Sequence, residues 1–396
     1  MTVSDRAAAI WIGVIAAAIY LAAGIGLATD YDYFGRLAEA FLHGRWWLTE
    51  APPWLNELLP CGDGRYCVVY PPLPAVLSLP LVPFFPTAVA QVVASRIAGG
   101  ASAGVLYYGL RAYGAPRTYA LAGALLSALG TTLFFSSVDG RAWYAGHSAS
   151  MLFLAGAFAV AARGGNTVAV GALIGISALA RLPVALAAPA LALLCARRGG
   201  GPFGRSLAGV IAGGAPFALI YVGYNLMRWG TPFDEGYARL TEGDVFFNHG
   251  LFSPLYLVRQ LKAIFLEPPD LVPGTPFFLR PHFSGMSLFL TTPAFLWVFL
   301  ALREVRRDVV VAATAAAALF ALVPDLFHAT WGFQQFGYRF SIDAQPFLVG
   351  LALAGDGLFR ETWRRWPTIV FAVAIFLSLA VNIYATIAIT RFDYWQ

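Results

Sequence analysis

The chain has 396 residues, 59% of them hydrophobic and 12% charged, with a mean hydropathy of +0.68. Soluble domains carry about 25% charged residues, so this composition excludes a soluble globular protein and points to an all-α polytopic membrane protein. The formal net charge of +5 is almost all arginine, much of it in short turns between apolar segments, and does not suggest a nucleic-acid partner.

The first apolar segment, 7–28, is about 22 residues, long enough to span a bilayer. It lacks a clear small-x-small cleavage site before the polar stretch and reads as a retained span rather than a signal peptide. Directly after it comes TDYDYFGRLAEAFLHGRWWLTE, residues 29–50. Asp30, Asp32, Arg36, Glu39, His43 and Arg45 rule out a second span here. Phe34, Leu37, Ala38, Phe41 and Leu42 recur at helical spacing, which predicts an amphipathic helix lying on the membrane. Trp46 and Trp47 suit the headgroup region. Residues 51–67 read as loop. Cys61 and Cys67 flank Gly62-Asp63-Gly64, a tight-turn sequence that could bring them together as a disulfide on an oxidising face. This stretch has too few ligands for a metal site. Five prolines after Tyr70, up to and including Pro83, forbid a regular span and predict a short, broken, interfacial or re-entrant segment.

Further spans are predicted at roughly 91–110, 118–135, 145–162, 167–181, 183–196, 206–227, 286–302, 309–327, 340–358 and 367–390, about eleven with the first. Cys195 lies in one of them as a packing residue. With a cytoplasmic N-terminus, Arg111, Arg117, Arg163, Arg197, Arg198, Arg205, Arg303, Arg306, Arg307, Arg360, Arg364 and Arg365 all fall inside, as the positive-inside rule requires. The long loops 29–90 and 229–285 then face the periplasm or exterior. The second of these holds another amphipathic helix. Ser253 and Pro254 open it, Leu255, Val258, Leu261, Ile264 and Phe265 form its stripe, and Arg259 and Lys262 lie off it. The chain reads as one transmembrane domain, 1–396, without a soluble domain. It has no internal repeat of the kind from which many transporters are built.

Several polar residues are candidates for chemistry. Asp30 and Asp32 stand at the membrane boundary, where Asp30 (or Thr29) could cap the helix, or a carboxylate could serve as general base. Arg181 and Arg339 sit at the outer ends of spans, where they either snorkel to headgroups or hold a lipid phosphate. Asp139 and His147 flank the second outer turn, and Asp139 could simply pair with Arg141. His249, His282 and His328 lie in or beside outer loops without ligand spacing, so no metal site is expected. No nucleotide-binding loop or nucleophile elbow is present.

The order of these features carries a resemblance. A span is followed at once by an acid and an amphipathic helix, with the spacing Asp30-x3-Phe34-x3-Ala38-x3-Leu42-x-Gly44. Then come YPPLP, an arginine at the outer end of a middle span, and Gly337-Tyr338-Arg339-Phe340 opening a late span. This layout resembles the GT-C superfamily of integral-membrane glycosyltransferases, particularly the bacterial branch similar to protein mannosyltransferases and the lipid A aminoarabinose transferase.

The resemblance implies an inverting transfer of a sugar from a polyprenyl-phosphate donor to a hydroxyl on a glycan, lipid or protein of the cell envelope. The reaction would run at the outer face of a bacterial-type inner membrane. It implies Asp30 as base, with Asp32 as the alternative, and Arg181 and Arg339 at the donor phosphate. Asp139, His147, Tyr338, His249 and His282 would line the substrate cleft. A phosphate leaving group needs no cofactor, and a divalent metal is compatible but not demanded. Two departures from the family pattern stand out: Tyr31 follows Asp30 where an acid is common, and Phe34 occupies a frequent tyrosine position. The reading outside this class is a lipid or solute transporter or flippase without catalysis.

Overall fold

The computed structural model describes residues 3–274, 279–282, 284–332, 334–358 and 367–392. Arg360, Arg364 and Arg365 lie outside them. The described chain is dominated by helices. α1 (Val3–Ala23), α4 (Thr87–Tyr113), α7 (Ala142–Ala162), the pair formed by a 3-10 turn (Leu182–Ala187) and α9 (Ala188–Gly199), α10 (Phe203–Trp229), α15 (Val309–Phe327) and α17 (Ile369–Phe392) are each long and apolar enough to cross a membrane. α5 (Arg117–Leu129) and α6 (Thr132–Asp139) form an eighth if their 46° bend is counted within one span.

The other predicted spans are shorter or broken. α8 (Thr167–Ala178) has 12 residues. Residues 288–304 divide into α13 (Leu288–Thr291), a 3-10 turn (Pro293–Leu296), α14 (Trp297–Ala301) and a second 3-10 turn (Leu302–Glu304). Pro293 lacks the N–H that would continue the ladder from α13. The late segment begins as a 3-10 turn (Arg339–Ala344) and continues as α16 (Gln345–Leu353).

Local chemistry sets the helix starts. Pro86, Pro116 and Pro202 precede α4, α5 and α10. Asn166 accepts hydrogen bonds from the N–H groups of Val168 and Ala169, and Asp308 from those of Val310 and Val311. These satisfy N–H groups that have no partner inside the helix. α1 and α4 approach closely through small residues. A Cβ on Gly104 would lie 2.1 Å from the Ala9 carbonyl oxygen, and one on Gly100 2.4 Å from the Ala17 backbone. Without a water-driven force between helices in lipid, such contact is a main source of association.

The chain has two chemically distinct ends. At one, Arg111 pairs with Asp5 at 3.0 Å, Arg163 meets Tyr108, and Arg198 donates to the Tyr113 carbonyl. At the other end of α4 and α7 lie the first loop and the polar cluster described below.

In the first loop, α2 (Tyr33–Leu42) forms inside the predicted amphipathic stretch, and the first part of its stripe faces protein while Leu42 stays exposed. Phe34, Leu37 and Ala38 are buried. They pack in one cluster with Val69, Tyr70 and Ala75, the last of these on α3 (Leu73–Ser78). Gly35 leaves no room for a side chain beside the Thr87 carbonyl of α4. The helix begins after Asp32, so neither Asp30 nor Thr29 is its cap residue. The N–H groups of Phe34 and Gly35 instead donate to Gln91 Oε1 on α4, at 2.8 and 3.3 Å. Gln91 Nε2 donates in turn to the carbonyls of Tyr31 and Gly140, tying the loop to the α6–α7 turn. Cys61 and Cys67 form a disulfide across the antiparallel hairpin of β1 (Leu58–Gly62) and β2 (Arg65–Val68).

In the second loop, a short α11 (Gly236–Leu240) precedes α12 (Leu257–Phe265), which Ser253 and a 3-10 turn at Pro254–Tyr256 introduce. A two-residue ladder, β3 (Asp270–Leu271) with β4 (Leu279–Arg280), follows. The predicted stripe on α12 divides: Ile264 turns inward, while Leu255, Val258, Leu261 and Phe265 are exposed. Arg259 covers the rings of Tyr256 and Trp331 at 4.6 and 5.0 Å.

Candidate active site

Arg181 ends the turn after α8, where Pro183 and the extended backbone of Arg181 stop the helix. Its Nε and Nη2 lie 2.9 and 2.8 Å from Asp343 Oδ2, and Nη2 lies 3.3 Å from Asp325 Oδ1. No hydrogen bond from Nη1 is formed among the described residues. Asp343 comes from the 3-10 turn before α16, and its other oxygen accepts from His147 Nδ1 on α7 at 2.8 Å. Asp325 comes from the last turn of α15, beside Pro324. Four separate segments therefore converge on one charged cluster. Unpaired charges buried this deeply would cost several kcal/mol each, so the ion pairs offset each other's desolvation.

Arg339 joins through aromatic faces. Its guanidinium lies 5.3 Å from the centre of Tyr144 and 5.4 Å from that of Phe340. Arg181 stands 5.3 Å from the same Phe340 ring. The two arginines expected to act together both lie against one ring, that of Phe340. His328 closes the side near Phe340, with its Nδ1 at 2.9 Å from the Thr330 carbonyl. Burial lowers the His328 imidazole to about 4, helped by the positive charges of Arg181 and Arg339 and opposed by the Thr330 carbonyl.

Toward the first loop the pocket becomes aromatic and acidic. Glu57 accepts from Trp143 Nε1 at 2.9 Å and from the Tyr70 hydroxyl, and its own N–H donates to the Tyr33 hydroxyl at 3.1 Å. Burial raises the Glu57 carboxyl above its ordinary value, opposed by the hydrogen bonds from Tyr70 and Trp143 and by the charge of Arg339. Tyr31 lies against Trp143 at 4.8 Å, and Tyr237 meets Tyr70 at 5.9 Å.

The two candidate bases differ sharply. Asp30 is exposed and makes no hydrogen bond or ion pair among the described residues. Asp32 is buried. Its Oδ1 accepts from Arg36 Nε at 2.7 Å and its Oδ2 from Thr87 Oγ1 at 2.5 Å. Both carboxylate oxygens are thus engaged in holding α2 on α4.

The remaining predicted cleft residues separate. His147 is inside the cluster. Asp139 pairs with Arg141 at 3.3 Å, the structural alternative raised for it, although Arg141 itself reaches Gln334 near Tyr144. Tyr338 is buried and donates to Gln260 Oε1 at 3.0 Å, linking the late segment to α12 rather than presenting its hydroxyl to the arginines. His249 is exposed beside Tyr256. His282 contacts Ser284 and lies 3.8 Å from Glu267. Among the described residues neither His249 nor His282 pairs with Arg181 or Arg339, although Phe247 and Phe252 of the same loop pack on His328 at 6.1 and 5.5 Å. Among the described residues, no three histidine, cysteine or acidic side chains group as metal ligands.

Sequence reading missed Glu57, Asp325 and Asp343. The last two could have been found: acids within predicted spans are costly and mark function by default. Glu57, in a loop of prolines and acids, carries no comparable mark.

No protein-family model and no curated protein matches the chain. Solved structures of the Archaeoglobus fulgidus oligosaccharyltransferase are similar to it. The apo form is 13% identical at a TM-score of 0.47, covering 98% of this chain and 56% of that one. The form tethered with an acceptor peptide containing the NVT sequon is 14% identical, with TM-score 0.47 and coverages of 98% and 55%. The AglB complex with an inhibitory peptide and a dolichol-phosphate is 13% identical, with TM-score 0.47 and coverages of 98% and 56%. The chain thus spans a little over half the length of these proteins.

Proposed function

We propose that this protein is an inverting glycosyltransferase that moves a sugar from a polyprenyl-phosphate donor to a hydroxyl of a cell-envelope glycan, lipid or protein. The observation that carries this reading is the convergence of Arg181 and Arg339 on Phe340 at the ends of membrane helices. Glu57 of the first loop lies within electrostatic range of Arg339, and Tyr31, next in sequence to Asp30, packs on the Trp143 that donates to Glu57. An isoprenoid tail would lie in the bilayer with its phosphate at that level. Arg181 spends Nε and Nη2 on aspartates and keeps Nη1 for an oxyanion, and Arg339 brings a second guanidinium. Arginine suits planar, two-point contact with phosphate.

In the proposed step, the acceptor hydroxyl gives its proton to Asp30. Its oxygen forms a bond to the anomeric carbon as the carbon–oxygen bond to phosphate breaks. The polyprenyl phosphate leaves with that electron pair, and the arginines stabilise the added charge. The exposure of Asp30 and the full engagement of Asp32 favour Asp30 as base. Glu57, Trp143 and Tyr237 would bind the sugar or the acceptor. The arginine-rich end of α4 and α7, opposite the cluster, supports a reading in which the site faces the periplasm or exterior of a bacterial-type inner membrane. In this reading the short and broken segments at α8, 288–304 and 339–353 complete about eleven passes.

Buried charge beside broken helices also fits a transporter, which would bind the lipid without making product. Purified protein given a polyprenyl-phosphate sugar and an envelope extract distinguishes the two. A glycosylated product with inverted anomeric configuration supports the transferase, and movement of intact lipid without product supports the transporter.

A further inference from the structure

A groove of about 430 Å³ runs between α1, the α5–α6 bend and α17. Its walls are Ile19 and Ala23 on α1 and Ile383 and Ile387 on α17, and Leu129 and Phe134 face it from the bend. Its volume lies within the range of built ligand sites, about 300–1,000 Å³. The single charged residue on it is Arg391, at the end of α17. Arg391 donates to the carbonyls of Ile25 and Ala23 at 2.7 and 2.9 Å, where α1 ends. Helix-end carbonyls carry only partial charge, and no carboxylate pairs with Arg391 among the described residues. Its side chain is exposed, and the other arginine in electrostatic range, Arg96, is buried, bound to the Val138 carbonyl and faced by Asp139, so Arg391 alone supplies the charge at the groove. A net cation therefore sits over an aliphatic channel at a level where two membrane helices end.

We infer that this groove is a binding site for one anionic phospholipid, with an acyl chain between α1 and α17 and the phosphate on Arg391. Charge complementarity selects an anionic headgroup, and the aliphatic walls select a chain rather than a free anion. None of Arg181, Arg339 and Glu57 lines this groove. This favours a membrane phospholipid over the polyprenyl donor, whose phosphate must reach Arg181 and Arg339. The inference is independent of the proposed transferase activity.

Native mass spectrometry of the full chain, exchanged into equal phosphatidylglycerol and phosphatidylcholine, tests it. The intact protein is expected to keep one phosphatidylglycerol in preference to phosphatidylcholine by about fivefold, the size of effect of one arginine at an anionic surface. Arg391→Gln should remove the preference, and Arg391→Lys should restore part of it. Ile387→Trp fills the groove from its exposed side and should reduce retention with Arg391 in place. Equal retention of the two lipids by the intact protein would overturn the site. So would an unchanged preference in both Arg391→Gln and Ile387→Trp, or preferential capture of added polyprenyl phosphate. Because the readout is bound lipid, a chain inactive in sugar transfer would still answer the question.

Discussion

Arg181 and Asp343, 162 positions apart, meet through two guanidinium nitrogens at 2.9 and 2.8 Å from one carboxylate oxygen. Asp343 also accepts from His147, so one buried carboxylate fixes two groups of the proposed site at once. Removing it strands both. Asp343→Ala is expected to destabilise the protein by about 3 kcal/mol, the low end for a broken buried pair because the Arg181 side chain keeps 22% exposure. Melting in detergent should fall clearly, and Asp343→Asn should recover part of the loss by keeping a hydrogen-bonding oxygen.

Asp30 and Asp32 should separate activity from stability. Asp30→Asn leaves every described contact intact, so the melting temperature should hold while transfer is lost. Asp32→Asn weakens the bonds from Arg36 and Thr87 and should cost about 1–3 kcal/mol, with the folded fraction still active. The reverse pattern would move the base to Asp32.

Glu57 should give stability a distinctive pH dependence. Its folded value is raised by burial, so the folded state holds the proton longer than the unfolded chain does. Stability from this residue is greatest below the ordinary glutamate value of 4.5 and falls as pH rises from there through the raised folded value. His328 acts in the opposite sense: its imidazole is lowered from 6.5 to about 4, so stability is lost as pH falls through that interval. Subtracting the Glu57→Gln melting curve from the wild-type curve isolates the first effect. The wild type should lose stability relative to the variant as pH rises from 4.5 toward 7. A flat difference would remove Glu57 from the buried set.

The Cys61–Cys67 bridge closes a short loop at sequence separation 6. Chain-entropy arguments give such a loop about 2 kcal/mol. Cys61→Ser should lower melting by a corresponding amount, and reductant should affect the wild type but not the variant. Equal sensitivity of both would mean that the hairpin is held by its ladder and by the Leu48–Tyr66 bridge alone.

The long apolar helices were legible in the sequence because their length and apolar composition are local properties. That Arg181 and Arg339 both stand at the ends of apolar segments was also legible, but their meeting on the Phe340 ring is a property of the fold. Other features were not local. The stripe of Phe34, Leu37 and Ala38 marks an apolar face, but only the fold decides whether lipid or α4 covers it. Gln91 replaces the cap residue of α2 from 57 positions away, and no helix-start rule reads that. His249 and His282 lie on a loop whose Phe247 and Phe252 reach His328, but their own rings turn to Tyr256, and to Ser284 and Glu267. Glu57 gains its character from Trp143 and Tyr70, which reach it only after the first loop has folded.

The most direct test of the central claim is a transfer assay with purified protein, a radiolabelled polyprenyl-phosphate sugar and an envelope acceptor extract, with the product analysed for anomeric configuration. The account predicts labelled, inverted product from the wild type and none above background from Asp30→Asn at unchanged melting temperature. Undiminished transfer by Asp30→Asn would contradict the assigned base, and no transfer by well-folded wild type across sugar donors and acceptor extracts would contradict the enzyme itself.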